Sequence, residues 1–155
     1  MRAQPAAESL EIRDARPDDA PAMAVLLDQL GYPAPAATIA ARLGAYRDAG
    51  EVALVAARGA DVVGLATVHV TPVLHRPTPV GRLTMLVIAE HERGRGVGRA
   101  LVEAAERAVA ARGCALIEVT SNRARTDAHA FYERLGYEPT SVRFKKSLDD
   151  AGGGG

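Results

Sequence analysis

The 155-residue chain has a single cysteine, Cys114, and only two lysines, Lys145 and Lys146, among its 19 basic residues. One cysteine excludes an internal disulfide framework and a cysteine-built zinc site, and it fits a reducing compartment, so a cytoplasmic protein is expected. The shortage of lysine, beside abundant arginine and alanine, reads as genomic base bias. The four histidines, His69, His75, His91 and His129, have no zinc-ligand spacing, and no metal is expected. No stretch approaches the roughly 18 uninterrupted apolar residues of a membrane span, and residues 1–11 hold Arg2 and Glu8 but no apolar signal core. No membrane partner is expected. An excess of one charge is also missing: 19 basic and 19 acidic residues give a formal net charge of zero, which disfavours a nucleic-acid partner bound through a large basic surface.

What remains is ordinary for one globular domain, with 48% hydrophobic residues, 25% charged residues and a mean hydropathy of -0.03. Residues 1–9 and 149–155 read as tails, the second ending in four glycines, and they frame a single domain over 10–148. After Arg16-Pro17-Asp18-Asp19, a helix capped by Asp18 places Met23, Leu26, Leu27 and Leu30 on one face and stops at Gly31. A weaker helix follows over 36–46. Residues 52–57 and 62–70 read as antiparallel strands joined by a turn, and 71–81, with Pro72, Pro77 and Pro79, as a loop. Residues 82–89 form a strand apolar on both faces, which suggests a central position. A helix over 97–112 aligns Val97, Leu101, Ala105, Ala108 and Val109, and a strand over 115–120 follows. A polar turn at 121–125, a helix ending at Gly136 and a last strand over 138–148 complete the chain. The fold class is α/β: a mixed sheet with helices on it, in which strand, glycine-rich turn, helix and strand form a crossover unit with two parallel strands.

The chemistry concentrates at Arg93-Gly94-Arg95-Gly96-Val97-Gly98-Arg99, between the buried strand and a well-patterned helix. Glycines admit close approach of the backbone to a ligand, and the first amides of the helix point outward with the positive end of its dipole. Such a turn suits phosphate, and three arginines favour a pyrophosphate. Gly98 is followed by Arg99-Ala100 and not by Lys and Ser or Thr, which rejects a P-loop. No third glycine or alanine falls where a dinucleotide fingerprint needs one, which disfavours nicotinamide cofactors.

Arg93-x-x-Gly96-x-Gly98 resembles the acetyl-CoA signature of the GNAT N-acetyltransferase family. The resemblance runs from Ile12 to Leu148, and Asn122 followed by 127–137 looks like that family's final helix. The stretch 122–137 is also similar to aminoalkylphosphonate N-acetyltransferases. The resemblance implies a mostly antiparallel sheet with one parallel, splayed strand pair, flanked by helices, with the pantetheine arm of acetyl-CoA in the splay. It implies that main-chain groups of Leu86, Val87 and Ile88 meet the acetyl and pantetheine end, and that Arg93, Gly94, Arg95, Gly96, Val97, Gly98 and Arg99 hold the pyrophosphate. Asn122 would meet the cofactor arm, and Tyr132 would lie by the thioester sulfur as general acid. A homodimer is the family habit.

The reaction implied is attack of a neutral primary amine on the thioester, with a small-molecule amine as the expected substrate. Residues 62–89 contain no Asp or Glu, so the strand before the signature offers no carboxylate as general base. Glu118 is the named candidate, with Glu90, His69 and His75 beside it. A peptide or protein amine as acceptor, and a non-catalytic acyl-CoA-binding module, are the alternatives.

Overall fold

The computed structural model describes residues 9–120 and 126–149, which divide into two compact units, one up to Val119 and one from Thr120. In chain order the first unit holds β1 (Leu10–Asp14), a 3-10 turn at Pro17–Asp19, α1 (Ala20–Leu30), α2 (Ala36–Asp48), β2 (Val52–Arg58), β3 (Asp61–Thr71), β4 (Val80–Ile88), a 3-10 turn at Glu90–Glu92, α3 (Val97–Ala111) and β5 (Ile117–Val119). The second holds α4 (Thr126–Arg134). No helix among the described residues is long and apolar enough to cross a membrane.

The strands form one sheet in the order β1-β2-β3-β4-β5. The first three pairings are antiparallel and β4 with β5 is parallel, the mixed arrangement expected from the sequence. Ala53 to Ala57 of β2 are buried without a break, as are Val63 to Ala66 of β3, so both sheet faces are covered. Helix α3 covers one face and α1 with α2 the other.

Two glycines set how closely α3 lies on the sheet. A Cβ at Gly64 would stand 2.8 Å from Leu101 Cδ1, and one at Gly81 would stand 2.7 Å from Val109 Cβ. Leu101 and Val109 belong to the buried stripe of α3, with Val97, Val102 and Ala105. Only the missing side chains let helix and sheet meet at this distance.

The start of α1 depends on Asp19 Oδ2 accepts from the Arg16 amide at 2.7 Å, and the Arg13 guanidinium donates to Oδ2 and Oδ1 at 2.7 and 2.9 Å. Asp19 is buried, whereas Asp18 is exposed. The bidentate Arg13 bond holds the Asp19 carboxyl below the usual range, against the opposing effect of burial.

Three further differences from the sequence reading have physical causes. β1 was not anticipated, because five residues with one clear apolar alternation, Leu10 and Ile12, carry little periodic signal. β3 and β4 extend into the expected 71–81 loop, to Thr71 and from Val80, since their pairing satisfies main-chain groups there. The strand expected over 138–148 is absent: those residues have no regular structure, with Val142, Phe144 and Leu148 at 53%, 90% and 89% exposure. Pro139 lacks an N–H, and an alternating pattern makes a strand only where a neighbouring edge pairs with it.

In the second unit, α4 ends at Gly136, whose φ of 91° is left-handed, and the Gly136 amide bonds to the Glu133 carbonyl at 3.0 Å. The Tyr132 ring packs edge-on against Phe131 and Tyr137, at centroid distances of 5.2 and 5.7 Å.

Candidate active site

β4 pairs with β5 only through Gly81, Arg82 and Leu83, then runs on to Ile88 with its outer edge free. The splay begins at a β-bulge: Thr67 of β3 faces Met85 while Val68 faces Leu83, leaving Thr84 as the extra residue. Hydroxyls secure the bulge. Thr67 Oγ1 and Thr84 Oγ1 are 2.8 Å apart, and the Tyr46 hydroxyl donates to the Val68 carbonyl at 2.7 Å. Burial pushes the Tyr46 phenol above its ordinary value, with the nearby Thr84 hydroxyl pulling the other way.

Pairing parity decides which main-chain groups face the free edge. The Ala89 amide donates to the Val63 carbonyl at 2.8 Å, so alternation along an antiparallel ladder turns Val87 toward β3 as well. Leu86 and Ile88 therefore present their amides and carbonyls outward. The Ile88 carbonyl already accepts from Gln29 Nε2 of α1 at 2.7 Å.

β4 leads through the 3-10 turn into the glycine-rich segment. Gly94 and Gly96 have φ of 76° and 85°, a region that L side chains rarely adopt, and open space lies where a Cβ would be. The first bond of α3 runs from the Ala100 amide to the Gly96 carbonyl at 3.1 Å, so the Val97, Gly98 and Arg99 amides precede the helical ladder. Glu92 fixes the turn from below: it is 3% exposed, takes Arg58 Nε on both oxygens and lies 3.5 Å from Arg95. Arg99 pairs with Glu103 at 3.1 Å.

Across the far end of the sheet runs a row of four charged or titratable residues. Val52 pairs with Val68, so Glu51 stands opposite His69; His69 pairs with Arg82, and Arg82 with Glu118. His69 Nδ1 lies 2.7 Å from Glu51 Oε1, and Arg82 Nη2 lies 3.2 Å from Glu118 Oε2. A cleft of about 270 Å³ opens over Arg82 and Glu118 and is lined also by Thr71, Val73, His75 and Arg76.

The sequence profile described as the acetyltransferase (GNAT) family matches residues 11–137. The chain belongs to the GNAT acetyltransferase family. This acetyltransferase is 37% identical over 93 residues to an aminoalkylphosphonate N-acetyltransferase of Salmonella typhimurium, a match covering 60% of each chain. It thus spans less than two thirds of that relative. Among solved structures it resembles a transcriptional regulator from Bacillus halodurans, with a TM-score of 0.81 and 29% identity over 90% of this chain and 100% of that one. At 20% identity, an aminoglycoside N-acetyltransferase solved with CoA shares the fold, with a TM-score of 0.83 over 95% of this chain and 100% of that one.

The protein is therefore an acyltransferase enzyme, and its family uses acetyl-CoA. The residues present fit such a donor, because the outward groups of Leu86 and Ile88 and the open backbone at Gly94 and Gly96 form one continuous edge. Of the site residues expected from sequence, those from Leu86 to Arg99 lie along this edge and turn, although the Val87 main chain faces β3. Glu118 is on β5 beside Arg82, and Tyr132 is on α4 in the second unit. Asn122 lies outside the described residues. Sequence reasoning missed Glu92, Gln29 and Glu51, whose roles depend on partners distant in sequence. Only Glu51 left a trace, through the hairpin register that sets it opposite His69.

Proposed function

We propose that this enzyme transfers the acetyl group of acetyl-CoA to a primary amine of a small molecule, in a complex holding both substrates. The observation that carries the reading is the free edge of β4 running directly into the glycine-rich start of α3. Leu86 and Ile88 would bond the acyl and pantetheine end, and the amides from Arg93 to Arg99 the pyrophosphate. Asn122 is assigned to the cofactor arm. Tyr132 is assigned as the general acid that protonates the departing thiolate, on its position in the family's final helix pattern. A small acceptor is supported by the modest size of the cleft beside Arg82 and by the activity named for the Salmonella relative. A cytoplasmic location is supported by the single cysteine.

The test is the melting temperature with acetyl-CoA, CoA, ATP and NAD, followed by CoA release with 2-aminoethylphosphonate, glucosamine 6-phosphate, an aminoglycoside and a peptide with a free N-terminus. Stabilisation by acetyl-CoA and CoA alone, with CoA release on a small amine, is expected. Equal stabilisation by ATP, or release only with the peptide, overturns the reading.

A further inference from the structure

β4 carries no carboxylate, and Glu118 on β5 faces Arg82 at 3.2 Å, so the acceptor ammonium needs another group to take its proton. His69 and Glu51 meet that need. An ionised carboxylate only accepts hydrogen bonds, so the 2.7 Å contact places the proton of neutral His69 on Nδ1 and leaves Nε2 with a lone pair. The Glu51 side chain is 13% exposed, and its Oε2 is buried with no hydrogen-bond partner, so its charge has the imidazole as its ion-pair neighbour. The His69 side chain is 45% exposed, open enough to meet a substrate or a bridging water.

The surroundings agree. His69 faces Arg82 of β4, whose charge is offset by Glu118 of β5. Tyr46 of α2 stands over Thr67 and Thr84, with Glu51 and Arg112 within electrostatic reach of its phenol. His75 and Arg76 line the cleft that shares Arg82 and Glu118 with the row. Arg82 precedes Thr84, where the free edge begins, by two residues, roughly 7 Å along the strand. An amine entering by that cleft passes the row before it reaches the edge.

We infer that the Glu51–His69 pair takes the proton from the acceptor ammonium, an assignment that rests on the acetyltransfer reading above. His69 Nε2 accepts one ammonium proton and Glu51 stabilises the imidazolium. The freed amine forms the C–N bond as the C–S bond breaks and its electron pair goes to sulfur. Sulfur is protonated to the thiol, the nitrogen sheds its surplus proton to water, and His69 returns its own to solvent.

The experiment compares wild type, His69→Gln and Glu51→Gln, using 2-aminoethylphosphonate or whichever amine of the panel is acetylated. His69→Gln is expected to lower kcat about 100-fold at neutral pH, while KM for acetyl-CoA stays within about twofold. Its rate should climb about tenfold per pH unit as free amine becomes available, without the wild-type acid-side break. Glu51→Gln, which keeps an acceptor but removes the charge, is expected to lose about tenfold. Independently of turnover, ¹⁵N NMR of the histidines in the enzyme alone should show neutral His69 protonated at Nδ1. An unchanged pH profile in His69→Gln, or a proton on Nε2, overturns the inference and leaves acetyl transfer intact. Failure of wild type to acetylate any amine overturns the parent reading and this one with it.

Discussion

Arg58 Nε lies 3.1 Å from both carboxylate oxygens of Glu92, joining the end of β2 to the base of the glycine-rich turn across 34 residues of sequence. Glu92 is 3% exposed and also faces Arg95 at 3.5 Å, so it is a buried anion between two cations. Glu92→Ala is expected to cost about 3 kcal/mol, because two guanidinium groups lose their shared counter-charge. The same variant should weaken CoA binding about tenfold, since the turn loses its anchor. Chemical denaturation and a CoA titration measure the two effects.

Gly81→Ala puts a methyl 2.7 Å from Val109 Cβ, a contact that neither residue can relieve by rotating a side chain. A loss of about 1–3 kcal/mol in denaturant unfolding is expected. Adding Val109→Ala should not restore stability, because the Cβ that clashes is still there.

Asp19→Asn is expected to cost about 2 kcal/mol at neutral pH by removing the charged acceptor of the Arg13 and Arg16 bonds. Asp19 binds its proton less readily folded than unfolded. Its contribution is therefore complete above the ordinary carboxylate value of 3.8 and drains as pH falls through the lower folded-state value. Wild type and variant should accordingly differ at pH 7 and converge in strong acid. A gap that stays constant from pH 7 to pH 2 would show that the carboxylate charge is not its source.

Tyr132→Phe keeps the ring that packs against Phe131 and Tyr137 and removes the only proton the side chain can donate. Acetyl-CoA should stabilise the variant as it does wild type, while kcat falls at least tenfold. An unchanged kcat removes Tyr132 from the chemistry.

Local signals made much of the fold readable. The run at Leu86, Val87 and Ile88 marked a strand buried on both faces, and Gly31 and Gly136 marked helix ends. The spacing of Arg93, Gly96 and Gly98 marked the phosphate-binding turn. Each of these depends on backbone preference or short-range periodicity, which a single chain segment carries within itself. The same kind of signal misled at Val142 and Phe144, where strand-like alternation met no edge to pair with.

Sequence alone, then, determined the family, the position of the turn and the order of elements from α1 to α4. Tertiary structure decided that Leu86 and Ile88, and not Val87, face the free edge, because that depends on the register with β3. It decided that Asp19 and not Asp18 holds the start of α1, because Arg13 reaches it from β1. It also set Glu51 against His69 and Glu92 under the turn, since ion pairs form between side chains that only the folded sheet brings within reach.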